Sequence, residues 1–146
     1  MADGRQDPPG EVVVVRSPPA ALSRQQVPVR FGVSATSAGS TGLALGLTVF
    51  PPGGSSVAHA HERYETAIYG VRGEVELFYG PELRDSIVFG AGDFCFIPPD
   101  VPHRAFNLSE TEEAEFVSAR NDPAEQERVV PTPEADDGTV DERAAA

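Results

Sequence analysis

The chain has 146 residues, the size of a single domain. It carries 23 acidic residues, 11 arginines and no lysine, and the resulting formal charge of −12 argues against nucleic acid as a partner, because no basic face is available to neutralise phosphates. A single cysteine excludes a disulfide framework and a cysteine-rich zinc module. Glycine and proline number 14 each, which favours a loop-punctuated β protein over a helical bundle.

The negative charge is concentrated towards the C-terminus. From Glu110 onward, 12 acidic residues and 3 arginines give −9, whereas residues 1–109, with 11 acidic residues and 8 arginines, carry only −3. Acidic runs of this kind are usually solvated tails. We therefore predict a flexible N-terminus over residues 1–10, a single domain over residues 11–132 and a disordered acidic tail over residues 133–146.

The first residues do not have the pattern of a targeting segment. Residues 1–10 are polar and contain proline, and the apolar run Val12–Val15 is too short for a signal core or a membrane span. From this we expect a cytoplasmic protein of bacterial type with no membrane partner.

Short apolar runs with strand-like spacing follow one another along the chain. In the run Gly42–Phe50, for example, four aliphatic side chains share one face, because alternate residues of a strand point to opposite sides. The predicted strands, in order, are Glu11–Arg16, Val27–Ala35, Gly42–Phe50, Val57–His61, Glu65–Val71, Glu74–Tyr79, Asp85–Phe89, Phe94–Ile97, His103–Asn107, Glu113–Arg120 and Glu127–Val130. Many short strands at spacings of roughly 8–12 residues indicate a sandwich or a barrel.

The three histidines of the chain have the spacing of metal ligands. His59 and His61 lie two residues apart, so on an extended strand both imidazoles point the same way, about 6–7 Å apart. Glu65 can reach the same ion only if the chain turns after His61, and His103 begins a later strand after a proline-rich turn. Three imidazoles and one carboxylate would hold one ion and leave coordination positions open.

These residues resemble the two sequence motifs of the cupin family. The first, G-x5-H-x-H-x3-E followed by a glycine, is matched by Gly53, His59, His61, Glu65 and Gly73. The second, G-x5-P-x-G-x2-H-x3-N, is matched by Gly92, Pro98, His103 and Asn107. Two departures stand out. Asp100 replaces a glycine of the second motif, and seven residues rather than the usual six separate Glu65 from Gly73.

The resemblance implies an all-β cupin fold, a double-stranded β-helix (jelly-roll) barrel. It implies one divalent transition metal ion per chain, held by His59, His61, Glu65 and His103. Fe²⁺ is favoured, and Mn, Ni, Zn, Co and Cu stay open because imidazole and carboxylate suit all of these ions. The resemblance also implies a homodimer, with the first strands crossing to the partner.

The activity implied by the resemblance is that of a metal-dependent enzyme acting on a small organic molecule. An Fe(II)-type dioxygenase is the first hypothesis. A redox-neutral isomerase, cyclase, decarboxylase or lyase, which uses the ion as a Lewis acid, is the second. A non-enzymatic cupin that binds a small ligand is the third.

Four further residues are candidates for the substrate site. Tyr69 is predicted to be a catalytic proton donor and substrate contact if it faces the barrel, and core packing is its alternative. Phe94 and Phe96 share one face of a strand and are interpreted either as substrate contacts or as barrel or dimer core. Arg104 is predicted to contact an anionic substrate, and a surface ion pair is its alternative.

Overall fold

A computed structural model of the chain describes residues 10–126 and 128–145. Its elements are β1 (Ala20–Leu22), β2 (Pro28–Val33), α1 (Ala35–Ala38), β3 (Ala44–Phe50), β4 (His59–His61), β5 (Thr66–Arg72), β6 (Glu74–Tyr79), β7 (Asp85–Gly90), β8 (Phe94–Ile97), β9 (His103–Asn107), β10 (Ala114–Arg120), β11 (Val129–Pro131), a 3₁₀ turn (Pro133–Ala135) and α2 (Thr139–Ala145). None of the helices described is long and apolar enough to cross a membrane. Apart from Gly10, the predicted flexible N-terminus lies outside the described residues.

The strands form two sheets, which confirms the predicted all-β double-stranded β-helix. One sheet has the order β1-β2-β3-β10-β5-β8 and the other the order β11-β4-β9-β6-β7, and the strand pairs within both are antiparallel. Apolar side chains from the inner faces of both sheets form the main core: Val27, Phe50, Val75, Leu77, Phe89, Ile97, Ala105, Ala114 and Phe116. Burying such side chains supplies most of the driving force for folding.

The turn before β9 shows why an aspartate can stand where the motif has a glycine. Asp100 has a φ of +63°, in the left-handed region that aspartate enters more readily than most residues. Its carboxylate accepts a hydrogen bond from the Arg63 backbone N–H at 3.2 Å, and its own N–H donates to the His61 carbonyl at 2.8 Å. The substitution therefore keeps the turn and adds a tie to the end of β4.

Asn107, the last residue of the second motif, connects the loop that follows β3 to the loop between β9 and β10. Its side-chain Nδ2 donates to the carbonyls of Phe50, Pro51 and Glu112 at 3.3, 3.0 and 2.8 Å. Its Oδ1 accepts the Ser109 N–H at 3.0 Å. Because Asn107 is buried, one side-chain amide joins four main-chain groups in a setting shielded from water.

Of the predicted acidic tail over residues 133–146, the structure describes residues 133–145. This segment forms the 3₁₀ turn and α2, with Ala135 and Val140 buried against Phe78 and Leu83. The Arg143 guanidinium lies 4.7 Å from the centroid of the Phe78 ring. Two small apolar anchors among acidic residues are too sparse a signal to recognise in the sequence.

The first predicted strand is absent from the described residues. Glu11–Arg16 forms no strand within the described residues, although its four consecutive valines favour one. The first strand of the structure is β1, which begins at Ala20. Strand formation needs a partner as well as propensity, and no strand among residues 10–126 and 128–145 pairs with this segment.

Asn107→Ala is expected to lower the free energy of unfolding by about 2–4 kcal/mol, because four hydrogen bonds of a buried side chain to the main chain are lost. Urea denaturation followed by circular dichroism measures the change. The control is Leu108→Ala, which truncates the exposed neighbouring side chain and should cost less than about 1 kcal/mol. Equal losses in the two variants would contradict the role assigned to the amide.

Candidate metal centre

Three histidine side chains meet inside the barrel. His59 and His61 lie on β4 and His103 lies on β9, directly opposite His59 in the strand pairing. One ring nitrogen from each comes within 4.8 Å of the others, and all three side chains are buried. The structure thus brings together the three histidines that the sequence predicts as ligands.

Main-chain carbonyls determine which nitrogen of two of these rings is free. The Nδ1 of His59 lies 2.8 Å from the Val57 carbonyl oxygen, and the Nδ1 of His103 lies 2.9 Å from that of Val101. A carbonyl can only accept, so both Nδ1 atoms carry the proton and both Nε2 atoms keep a lone pair. This is the arrangement that orients histidine as a metal ligand.

Burial keeps the three imidazoles neutral. It lowers the pKa of His103 from the ordinary 6.5 to about 4. Burial also lowers the pKa of His59 and of His61 well below the ordinary 6.5, and the neighbouring imidazoles lower both further. Because a metal ligand must be the unprotonated imidazole, the cluster is in its binding form at neutral pH.

The fourth predicted ligand, Glu65, does not join the cluster. Its side chain is exposed, and its backbone N–H donates to the Asn121 side chain at 2.9 Å. Thr66 is buried instead, with its hydroxyl 2.8 Å from the His61 Nδ1. Six residues separate Thr66 from Gly73, which is the usual motif spacing, so the extra residue lies before the inward-facing position rather than after it. The prediction of Glu65 as a ligand is corrected accordingly.

Three predicted substrate residues lie on the outside of the barrel. On β5 the side chains of Thr66 and Ile68 face inward, so Tyr69 faces outward and is 41% exposed. Phe94 and Phe96 on β8 are 83% and 59% exposed, and the Phe94 ring lies 4.8 Å from that of Tyr69. The catalytic role predicted for Tyr69 and the substrate contacts predicted for the two phenylalanines are therefore corrected.

Arg104 does not line the cavity beside the histidines either. Its guanidinium donates to the Ser56 carbonyl at 2.8 Å and to the Ser55 hydroxyl at 3.0 Å. It forms ion pairs with Asp136 at 2.9 Å and Asp141 at 3.2 Å. The predicted substrate contact gives way to its alternative, an ion pair, which holds the C-terminal segment against β9.

An apolar cavity of about 90 Å³ adjoins the histidine cluster. A water molecule needs about 10–15 Å³ measured in this way, so the cavity has room for a small ligand or a few waters. The apolar part of its wall comes from both sheets: Val27, Val29, Phe31, Phe50, Ile68, Val75, Leu77, Phe89, Ile97 and Phe116. The site therefore combines a nitrogen-rich cluster with a largely apolar chamber.

The cavity also has a cationic group that sequence reasoning missed. Arg120, at the end of β10, lines it and donates to the Tyr64 hydroxyl at 3.3 Å and to the Ala124 carbonyl at 3.0 Å. The Tyr64 ring stacks on His61 with centroids 4.9 Å apart, and burial raises the pKa of its hydroxyl, which stays protonated. The inward side of β10 was the available signal, because Phe116 and Ser118 share it.

Comparison with known families agrees with this geometry. The profile of the family described as "Cupin domain" matches residues 46–120, just over half of the chain. The chain is a cupin. No curated protein sequence matches this cupin.

Solved structures with the same fold include three enzymes. The polyketide cyclase RemF from Streptomyces resistomycificus is 22% identical, with a TM-score of 0.67 over 84% of this chain and 85% of that one. Oxalate decarboxylase from Bacillus subtilis is 21% identical, with a TM-score of 0.67 over 84% of this chain and 33% of that one. A recombinant oxalate oxidase in complex with glycolate is 22% identical, with a TM-score of 0.65 over 91% and 68%. At these identities the likeness shows the fold.

His103→Ala is expected to weaken metal binding by at least about 100-fold, since one of three converging nitrogens is lost, a larger effect than removing an outer partner. Competition with a chromophoric chelator measures the affinity, and circular dichroism checks the fold. Glu65→Gln is the matched control and should leave affinity within about twofold, because its side chain is exposed. Strong loss in Glu65→Gln with retention in His103→Ala would reinstate the carboxylate ligand.

Proposed function

We propose that this cupin is a metal-dependent enzyme acting on a small, largely apolar organic molecule that carries an anionic oxygen. The proposal rests on one observation, which is that three neutral imidazoles converge beside an apolar cavity and no carboxylate of the described residues joins them. Such a donor set fits a divalent transition metal, with Fe, Mn, Ni, Zn, Co and Cu all suited to imidazole. His59, His61 and His103 would hold the ion.

The charge of the site supports an anionic substrate. A carboxylate ligand would cancel part of the charge of a divalent ion, whereas three neutral imidazoles cancel none of it. Arg120 adds a further positive charge at the cavity wall, and among the described residues its guanidinium donates to the carbonyls of Ala124 and Glu125 rather than to a carboxylate. An oxyanion is the group that this field attracts most strongly.

The residues of the chain would each contribute a physical task. The apolar walls exclude water and hold the carbon skeleton of the substrate, which strengthens electrostatic interactions inside the cavity. Arg120 orients the anion, and Tyr64 holds both the Arg120 guanidinium and the His61 ring in position. When bound, the ion would supply Lewis-acid polarisation of a substrate oxygen or, if redox-active, activation of dioxygen.

A redox-neutral reaction is better supported than an oxidative reaction with dioxygen. Strong positive charge in a dry site stabilises the negative charge that develops on oxygen when a carbonyl compound forms an enolate. Cyclisation, isomerisation and decarboxylation share this need. The likeness to the polyketide cyclase RemF, which extends over most of both chains, supports the same class.

An Fe(II)-type dioxygenase is the second candidate. Three protein ligands would leave coordination positions open on an iron ion, and the apolar cavity would admit a small apolar gas as well as a substrate. The likeness to an oxalate oxidase, which extends over 91% of this chain, also supports the oxidative class.

Protein purified without chelator is expected to convert aryl-substituted β-keto acids at the same rate in air and under argon, because enolate chemistry consumes no oxygen. Mass spectrometry of products and an oxygen electrode provide the two readouts. Chelation and His103→Ala should abolish turnover. Oxygen uptake in proportion to substrate loss would support the dioxygenase instead, and tight binding without turnover of any probe would support a ligand-binding cupin.

Arg120→Met is expected to raise the KM for an anionic β-keto acid at least about tenfold while leaving that of the matching neutral ketone within about twofold, since only the acid presents a charge to the guanidinium. Steady-state kinetics with the two probes measure the split. The control is Arg84→Met, which removes an exposed arginine paired with Glu82. Equal effects on acid and ketone would argue against anion recognition.

A further inference from the structure

Strand pairing gives the cavity beside the histidines a polar end and an apolar end. At the polar end, Arg120 pairs with Thr66, whose hydroxyl lies 2.8 Å from the His61 Nδ1. Four residues earlier on β10, and also lining the cavity, Phe116 packs edge-on against Phe89 with ring centroids 5.4 Å apart. A bound substrate would therefore have its polar groups at one end and its carbon skeleton at the other.

A tight turn between β1 and β2 holds a glutamine in the wall of this cavity. The Ser23 N–H and the Ser23 hydroxyl both donate to the Val27 carbonyl, at 3.0 and 2.6 Å. Within the turn, the Gln25 carbonyl accepts the Val57 N–H at 2.9 Å. The carbonyl of Val57 is in turn the one that orients the His59 ring. The backbone of Gln25 is thus attached to the residue that positions a metal ligand, and its side chain lines the cavity.

The amide oxygen of Gln25 is buried without a hydrogen-bond donor. Within residues 10–126 and 128–145, no donor reaches its Oε1. The other glutamine of the cavity wall differs, because the Gln126 Oε1 accepts the Arg24 N–H. Buried acceptors in native proteins nearly always have a donor, so one without a donor in the fold points to a partner that comes from outside it.

We propose that Gln25 is a specificity-determining residue whose amide oxygen accepts a hydrogen bond from a hydroxyl group of the substrate. The inference rests on the proposed function and narrows it, because the anionic substrate must then also carry a hydroxyl. An amide oxygen can only accept, so the substrate has to supply the donor. A cationic ammonium donor is disfavoured by the positive charge of Arg120, whereas a hydroxyl is a neutral donor.

The physical consequence is discrimination against analogues that lack the hydroxyl. Such an analogue displaces water from the cavity and leaves the Gln25 oxygen unpaired in largely apolar surroundings. A site built around a buried polar group rejects the analogue without the matching group more strongly than an apolar pocket rejects one extra methylene. A methyl ether is rejected for the same reason, since it has no proton to donate.

Isothermal titration calorimetry of the metal-loaded full chain with benzoate, 3-hydroxybenzoate and 4-hydroxybenzoate tests the proposal. In neither hydroxybenzoate can the hydroxyl chelate the same ion as the carboxylate, so a gain in affinity comes from the protein. One of the two is expected to bind at least about fivefold more tightly than benzoate, as one net hydrogen bond provides. The corresponding methoxybenzoate should show no such gain. Calorimetry needs no turnover, so the result is independent of the reaction class.

Gln25→Met removes the acceptor at nearly constant side-chain length. It should bring the affinities for the hydroxybenzoate and benzoate to within about twofold of each other, because the hydrogen bond is lost. Gln26→Met is the matched control, since it makes the same substitution at the adjacent, exposed side chain, and it should keep the whole gain. Far-UV circular dichroism and bound metal check that both variants are folded and loaded.

The outcomes separate this inference from the proposed function. If benzoate and both hydroxybenzoates bind the natural chain equally well, the role of Gln25 is overturned and the anion site stands, with water as the partner of the amide. A gain that persists in Gln25→Met, or that is lost equally in Gln26→Met, assigns the hydroxyl to another group and also overturns the role. Absence of binding by all three carboxylates would overturn both the inference and the anion site of the proposed function.

Discussion

The burial of three imidazoles on two paired strands is the constraint on which the site depends. A buried imidazole does not hold a second proton, and with it a positive charge, unless an acidic partner lies beside it. All three rings are therefore neutral, and each needs an acceptor for its one N–H group. The carbonyls of Val57 and Val101 satisfy two of these rings from within the same strand or turn. Ligand orientation is thus fixed by local backbone geometry, and the rest of the barrel has to hold β4 beside β9.

The motif residues that are not ligands serve this purpose. Asp100 connects the turn before β9 to the end of β4, and Asn107 ties the far end of β9 to the loop that follows β3 and the loop that precedes β10. Both ends of the strand that carries His103 are therefore held by side-chain hydrogen bonds. Much of the sequence motif therefore consists of residues that keep β4 and β9 in register, rather than of residues that could bind the ion.

The histidines, most strands and the fold were predictable because each depends on short-range spacing. The position of the fourth motif residue was not, because it depends on the length of a turn. Arg63 in this turn has a φ of +67°, and the turn extends one residue further than expected. A slip of one residue exchanges the two faces of a strand. That single slip places Glu65 and Tyr69 outside and Thr66 inside.

The orientation of β8 and the role of Arg120 were unpredictable for a different reason. Alternation correctly put Phe94 and Phe96 on the same face of β8, but alternation alone does not say which face meets the core. Arg120 was not predictable as a site residue, because a single cation at the end of a strand has no distinctive sequence pattern. Its importance comes from the packing of Tyr64 against His61, which only the tertiary structure shows.

The threonine at the fourth motif position has a thermodynamic consequence. On the proposed function, a divalent ion among three neutral ligands leaves its whole charge uncompensated in an apolar chamber until an anion arrives. Each would then strengthen the binding of the other by the same factor, because linkage between two ligands is reciprocal. The ion and the substrate would bind cooperatively. The substrate-free protein would bind its metal more weakly than the substrate-bound protein.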